Sequence, residues 1–177
     1  VQTDDAGSIY VYGSFMDTLT IDPGNIMLNT GSGLNINWFM IKLNISGNFV
    51  WKKNFTAAYG NDVNINTVKV KGGLIYAGLF FDTFDGALKK FDLNGNETGS
   101  FNVTLNRTFS SIDIDPQGNI FIAGSCQAGN IQFSNIGANC PFAYSMFFAK
   151  FSSSFAGQWA KFVEDVTFTS PYIVCDN

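Results

Sequence analysis

The chain has 177 residues, which is enough for one domain with a sizeable core. Only 14% of the residues are charged, and fourteen acidic residues face ten basic ones, so the composition excludes a disordered tail and a basic nucleic-acid-binding protein. The sequence has no histidine, which excludes histidine-dependent catalytic triads and histidine-ligated zinc or iron. Purely apolar runs are only a few residues long, so we predict no membrane span.

A set of four strand-like elements repeats in order along the chain. The first element is residues 7–13 (GSIYVYG), 73–78 (GLIYAG) and 118–124 (GNIFIAG). The second is 39–44, 87–92 and 147–152, and the third is 47–52, 95–99 and 157–161. The fourth element leads into the next copy and is 65–70, 111–114 and 172–175. Such a tandem repeat of short elements predicts a repeat architecture.

The elements are short and rich in aromatic and β-branched residues, with Gly-Asn or Asn-Gly turns between them. No window shows a convincing apolar period of 3.6 residues, which argues against helices. Four strands in each repeat are typical of propeller blades. We therefore predict an all-β fold of about three four-stranded antiparallel β-propeller blades, forming one segment over 1–177 with units at approximately 4–70, 71–114 and 115–177.

One connection in each unit varies in length, and it is long over residues 16–37 and 127–145. Repeat proteins place such insertions on one face, so we predict a contact surface there. Trp38 and Tyr144 lie beside these insertions and are candidates to stack on a sugar or anchor a partner, with burial in the core as the alternative. Trp51 and Trp159 occupy the same place in the repeat and are expected in the core between units.

Cys126 and Cys140 bracket thirteen residues, a loop that a disulfide could close for roughly 3 kcal/mol. The alternative is that both are buried free thiols. Cys175 would have to find a partner outside this chain, or none.

The acidic residues offer weak candidates for chemistry. Asp113-x-Asp115-x-x-Gly118 resembles the start of a calcium loop, but the twelfth position is Gly124 and not Glu, so we expect Asp115 to accept backbone N–H groups in a turn. The variable connections contain acids that could pair for glycoside hydrolysis, although solvated loop acids are the favoured interpretation. These acids are Asp17, Asp22, Asp82 and Asp85. We predict no catalytic residue, no metal site and no cofactor, with calcium as the alternative.

The third unit carries residues 112–125 (IDIDPQGNIFIAGS), followed by 147–151 (FFAKF) and 157–161 (GQWAK). These segments resemble the SBBP-type bacterial β-propeller repeat, whose pattern is roughly D-x-x-G-N-x-Y-x-x-G-S-F, a variable loop, D-x-F-V-x-K-x-x-x-x-G, then an apolar residue, Trp and a basic residue. The first unit matches at 4–7, 13–15, 39–42 and 51–52. The second unit departs from the pattern, with Leu79 and Phe80 after Gly78 and no Trp after Asn96.

The resemblance implies an exported bacterial protein, secreted or held at the cell surface, in a setting such as type IX secretion or gliding adhesion. We therefore expect a non-enzymatic protein-binding or structural module. Its expected partners are other protein subunits, the remainder of its own chain or surface carbohydrate. The alternatives are a polysaccharide-acting hydrolase or lyase and a carbohydrate- or calcium-binding module.

Propellers have about four to eight blades, and three blades leave unpaired edge strands. The chain starts with residues 1–5 (VQTDD), which contain neither an initiator Met nor a signal peptide. We therefore expect the 177 residues to be a segment of a larger propeller.

Overall fold

The structure is a computed structural model that describes residues 1–28, 36–60, 63–81, 85–104, 109–164 and 170–176. Fourteen strands and one short helix are assigned within these ranges. The strands are β1 (Gln2–Thr3), β2 (Ile9–Phe15), β3 (Thr18–Asp22), β4 (Asn25–Leu28), β5 (Asn37–Leu43), β6 (Phe49–Asn54), β7 (Val63–Lys71), β8 (Leu74–Phe81), β9 (Asp85–Asp92), β10 (Glu97–Thr104), β11 (Phe109–Ile114), β12 (Ile120–Phe133), β13 (Ile136–Phe151) and β14 (Gly157–Glu164). The helix α1 spans Phe55–Tyr59. The predicted all-β class is confirmed.

The strands form three successive antiparallel meanders of four strands each. Unit 1 has the order β1-β2-β5-β6, unit 2 runs from β7 to β10, and unit 3 runs from β11 to β14. Two register pairs between β10 and β12 join units 2 and 3 into one eight-stranded sheet. Within the residues that the structure describes, the sheets close into neither a barrel nor a propeller ring.

The sheets are offset by one strand from the units drawn in the sequence. β7 lies at the end of the first sequence unit, but it pairs with β8 and so begins unit 2. β11 likewise pairs with β12 and begins unit 3. Units 2 and 3 therefore each take their first strand from the preceding sequence repeat.

The two long connections fold as hairpins. β3 and β4 pair with each other over residues 18–28, and residues 29–35 of this connection lie outside the described ranges. In unit 3, β12 and β13 continue past the sheet and pair as far as Phe133 and Ile136. Ser134 adopts a positive φ of 54° in the tight turn between them.

Five turns share one hydrogen-bond pattern, and we call them the unit turns. They span residues 4–8, 44–48, 92–96, 115–119 and 152–156. In each, the N–H of the first residue donates to the carbonyl of the fifth, and the N–H of the fourth donates back to the first. The side-chain oxygen of the first residue accepts from the N–H of the fifth. The fourth residue has a φ between 67° and 84°, which is why four of the five turns have Gly there.

The strand register aligns the units on Lys42, Lys90 and Lys150. Their partners across the ladder are Tyr10, Tyr76 and Phe121. Three residues before each lysine, Phe39 lies opposite Gly13 and Phe147 lies opposite Gly124, whereas Ala87 lies opposite Leu79. In the middle unit, Leu79 and not Gly78 therefore holds the position that Gly13 and Gly124 occupy in the other two units.

Each unit buries one face against the next unit. Tyr10 and Met40 of unit 1 belong to a core cluster with unit 2, which includes Ile75 and Phe91. Tyr76 and Leu88 of unit 2 belong to a cluster with unit 3. The opposite face of unit 1 is covered by the β3–β4 hairpin, whose Met27 packs with Phe39 and Ile41. The units are thus stacked in sequence order through apolar contacts.

Candidate functional site

The first strands of the three units, β1, β7 and β11, lie around one polar cavity of about 570 Å³. Its lining comes from residues 1–5, from β7 and β11, and from residues 174–175. The segment 170–176 lies along β11, where the Ile173 N–H donates to Ser111 Oγ at 3.2 Å and the Cys175 N–H donates to Asp113 Oδ2 at 2.8 Å. Corresponding elements of successive repeats therefore meet at the same place in the molecule.

An ion pair crosses this cavity between units 2 and 3. Lys69 Nζ lies 2.7 Å from Asp113 Oδ1, and the Asp113 side chain is only 4% exposed. Burial alone would raise the pKa of Asp113, but the hydrogen bonds from the Cys175 N–H and Lys69 outweigh it and hold the pKa below its ordinary value. Asp113 is therefore ionised at neutral pH, which suits it to pairing and not to a general-acid role. Burial, followed by the charge of Asp113, raises the pKa of the Cys175 thiol.

The other candidate acids are not brought together with Asp113, apart from Asp5, which lines the same cavity and is exposed. Asp17 and Asp22 lie at opposite ends of the β3 region, and Asp22 accepts a hydrogen bond from the Asn25 amide. Asp85 is exposed at the start of β9, and Asp82 lies outside the described residues. No group of three or more Cys, Asp or Glu side chains that could hold a metal ion occurs in the described ranges.

Asp115 has the turn role that we expected. Its Oδ1 accepts from the N–H groups of Gln117 and Asn119, and its Oδ2 accepts from the Asn119 amide. Burial is the largest single influence and would raise the pKa of Asp115, but the hydrogen bonds from Asn119 and Gln117 together outweigh it and lower the pKa. Calcium binding at this motif stays the untested alternative.

The two aromatic candidates differ in their surroundings. Trp38 is half-buried against the core cluster that units 1 and 2 share, and its backbone N–H donates to Thr56 Oγ1 at 2.9 Å. Tyr144 is 40% exposed on β13, opposite Gln127 in the extended hairpin. The structure therefore leaves Tyr144 accessible for a partner, whereas most of Trp38 faces the protein.

The tryptophans at equivalent positions also differ. Trp51 packs against the core cluster between units 1 and 2, as predicted, and its indole N–H donates to the Leu93 carbonyl at 2.9 Å. Trp159 is 37% exposed and contacts Phe121 edge-on. The physical reason is that no unit covers this face of unit 3 within the described residues.

A contact between units that the sequence analysis missed involves three donors from unit 1 and a unit turn of unit 2. Lys42 Nζ and the Trp51 indole both donate to the Leu93 carbonyl, and Lys53 Nζ donates to the Gly95 carbonyl at 3.2 Å. Lys90 of unit 2 makes the equivalent bond to the Ser153 carbonyl of unit 3 at 3.1 Å. The signal for this contact is a spacing, because Lys42, Trp51 and Lys53 recur as Lys150, Trp159 and Lys161.

The two cysteines proposed as a pair are adjacent. Cys126 and Cys140 are both buried free thiols, and their Sγ atoms lie 3.2 Å apart between the two strands of the extended hairpin. Burial raises the pKa of Cys126, and the neighbouring Cys140 adds to this effect. The pair is thus positioned for a disulfide.

Comparison with known proteins found no matching family model and no similar curated protein. The resemblance to the SBBP repeat therefore stays a prediction from the residues. The single described helix has five residues, and no helix in the described part of the chain could cross a membrane.

Proposed function

We propose that the three units are blades of a β-propeller and that the chain is a non-enzymatic structural or protein-binding module. The observation that carries this proposal is the polar cavity around which β1, β7, β11 and residues 174–175 converge. Propeller blades arrange their innermost strands around a central channel in this way. The resemblance to the SBBP repeat supports a place at the surface of a bacterium or in its secreted proteins.

The contact surface would be formed by the β3–β4 hairpin and by the extension of β12 and β13. Along the extension, exposed Gln132, Asn139 and Tyr144 alternate with buried Ile131, Phe133 and Cys140. The buried side chains anchor the extension on the core, so the exposed ones are held in a fixed array. Such a surface suits another protein subunit or the remainder of the same polypeptide, with surface carbohydrate as the second class of partner.

The test is binding of the purified chain to cell-surface and secreted proteins of its source bacterium, measured by cross-linking and quantitative mass spectrometry. The triple variant Gln132→Lys, Asn139→Lys and Tyr144→Ser should lose captured partners by at least about tenfold, the effect of ~1.4 kcal/mol. Ala58→Lys, which places a lysine at an exposed position of α1, is the control and should capture as the wild type does. Equal capture by the triple variant would overturn the assignment of this surface.

The alternative function is a polysaccharide-acting hydrolase or lyase, and it is favoured by the presence of Asp5 and Asp113 on one cavity. The lowered pKa of Asp113 argues against a general acid there. We expect the chain to release no reducing ends from a panel of acidic and neutral polysaccharides. Product formation by the wild type that disappears in Asp113→Asn would establish the alternative and overturn the non-enzymatic proposal.

A further inference from the structure

The two ends of the array of units expose large apolar side chains, and the middle does not. At the unit 1 end these are Val1, Met16, Ile26, Ile36, Ile45 and Val50, and at the unit 3 end they are Tyr144, Trp159, Val163, Tyr172 and Val174. Within the described residues, β7 to β10 of unit 2 expose none. Each internal unit is covered on both sides, so exposure at the ends marks the faces at which a further unit would pack.

The contact between units follows a size rule. The Trp51 ring of unit 1 lies on Gly95, the fourth residue of the unit 2 turn, about 3.5 Å from where a Cβ would stand. Between units 2 and 3 the sizes are exchanged, because Gly99 holds the position of Trp51 and Phe155 holds the position of Gly95. An aromatic ring on one side therefore requires glycine on the other.

Unit 3 presents the same donors as unit 1, but within the described residues no turn receives them. Lys150, Trp159 and Lys161 match Lys42, Trp51 and Lys53 in the ladder register. Lys150 lies over the Phe121 ring, and neither the Trp159 indole nor Lys161 makes a hydrogen bond to the described residues. An apolar cavity of about 630 Å³ adjoins this site, lined by Phe121, Phe148 and Trp159 among others.

A turn that could receive these donors is exposed elsewhere in the chain. The unit turn of unit 1, residues 44–48, has Gly47 at the fourth position, as Trp159 requires. Ile45 corresponds to Leu93, the residue whose carbonyl accepts from Trp51, and its side chain is 74% exposed. Like the 92–96 turn that receives Trp51, this turn connects the third and fourth strands of its unit. The two other turns in that place are unsuitable, since residues 92–96 are already occupied and residues 152–156 have Phe155 at the fourth position.

We infer that the Lys150, Trp159 and Lys161 surface of one molecule docks on the 44–48 turn of a second copy of this chain. Trp159 and Lys150 would donate to the Ile45 carbonyl, and Lys161 would donate to the Gly47 carbonyl. The contact is head-to-tail, so it generates a closed ring or an open chain of molecules. Because the β3–β4 hairpin covers the rest of that face of unit 1, the interface is small and we expect roughly micromolar or weaker affinity.

The inference goes beyond the proposed function, because it needs no partner from elsewhere and concerns a different surface. Sedimentation of the full chain should show a weight-average mass that rises with concentration up to about 100 µM. Trp159→Ala and Ile45→Asp should each be monomeric over the same range. Ala58→Asp adds a carboxylate at an exposed site outside the interface and should associate as the wild type does.

Mixing the two interface variants separates head-to-tail docking from other modes. Trp159→Ala retains the 44–48 turn and Ile45→Asp retains the Trp159 surface, so an equimolar mixture should form dimers and nothing larger. A wild type that stays monomeric would overturn the inference, and so would a mixture that stays monomeric, which would indicate symmetric self-pairing of one face. Lys150→Gln, which leaves the aromatic packing intact, should weaken association about tenfold while the far-ultraviolet circular dichroism is unchanged.

Discussion

At the first position of the five unit turns, Asp, Asn and Ser perform the same task with different side chains. Each offers an oxygen to a backbone N–H within the turn, at distances between 2.8 and 3.1 Å. The fourth position is less permissive because its φ is positive. Phe155 is the exception, and its ring is buried against Phe101 and lies under the Lys90 ammonium. Burial of the ring offsets the backbone strain at this residue.

The aspartates of the turns make stability depend on pH in the acid range. For Asp92 the hydrogen bonds from Asn96 lower the pKa, and for Asp115 the turn hydrogen bonds outweigh a burial effect of the opposite sign. For Asp4 burial is likewise outweighed, by the turn hydrogen bonds together with the Tyr10 hydroxyl and the Lys42 charge. A lowered pKa in the folded state gives stability that is complete above the ordinary value of 3.8 and is lost as the pH falls below it. We therefore expect the urea concentration at the unfolding midpoint to decrease as the pH is lowered from about 5 to about 2.

The double variant Asp92→Asn and Asp115→Asn tests the cause. Asparagine holds the same position at residue 44 and accepts the same two backbone hydrogen bonds, but it does not titrate in this range. The variant should fold at neutral pH and lose less stability than the wild type on acidification. Identical losses in the two proteins would show that other groups are responsible.

At the level of elements, the departure of unit 2 from the repeat is an exchange of volumes. Units 1 and 3 pair a glycine on the second strand with a phenylalanine on the third, whereas unit 2 pairs Leu79 with Ala87. Leu79 and Ala87 are both fully buried. The total volume between the strands is similar in both arrangements, so the packing tolerates either one.

The exchange predicts a strong coupling between two positions. Leu79→Gly should destabilise by about 3–5 kcal/mol through the cavity it leaves, and Ala87→Phe by about 1–3 kcal/mol through overpacking. The double variant recreates the pair of units 1 and 3, so its loss should be about 1–3 kcal/mol smaller than the sum of the single losses. Chemical unfolding of the four proteins measures this, and strict additivity would contradict the volume argument.

The extended hairpin of unit 3 predicts a redox effect on stability. Mild oxidation should join Cys126 to Cys140, since their sulfurs are already in contact, and Cys175 should remain free. The disulfide should stabilise the chain by roughly 3 kcal/mol by the loop-closure argument. Peptide mapping identifies the bond and thermal unfolding measures its effect, with Cys126→Ser/Cys140→Ser as the control that should not respond to oxidant. An oxidised protein in which Cys175 is bonded would contradict this pairing.

At the level of the whole molecule, units 2 and 3 are held together by two β10–β12 pairs, an apolar cluster and the Lys69–Asp113 ion pair. The ion pair is one polar contact of this interface, beside the hydrogen bond from Lys90 to the Ser153 carbonyl, and Asp113 also holds the 170–176 segment through the Cys175 N–H. A charge at such a buried position depends on its partner.

Removing Lys69 should therefore be costly. Lys69→Met leaves Asp113 ionised and unpaired, and we expect a loss of about 3–5 kcal/mol in the free energy of unfolding. Lys69→Met/Asp113→Asn should recover much of that loss.

Asp113→Asn weakens the acceptor for the Cys175 N–H, so alkylation of Cys175 should become faster in the native protein. An unchanged alkylation rate would show that the segment is held by its other contacts.

Local features of this protein could be predicted from its sequence. The positive φ of Gly in the turns and the turn role of Asp115 depend on neighbours within a few residues, and those expectations are confirmed. The repeat also placed Trp51 correctly between units. The same reasoning applied to Trp159 differed from the structure, because burial there depends on a unit that the described residues do not contain.

The tertiary structure decided the features that depend on distant residues. The one-strand offset between repeat and sheet, the place of Leu79 in the register and the folding of residues 127–145 as a hairpin are all set by which strands pair. The contact of Lys42 and Trp51 with the Leu93 carbonyl joins residues about 40 to 50 positions apart. Side-chain size across the ladder and between units selects these arrangements, and size complementarity between distant residues becomes visible only when the chain is folded.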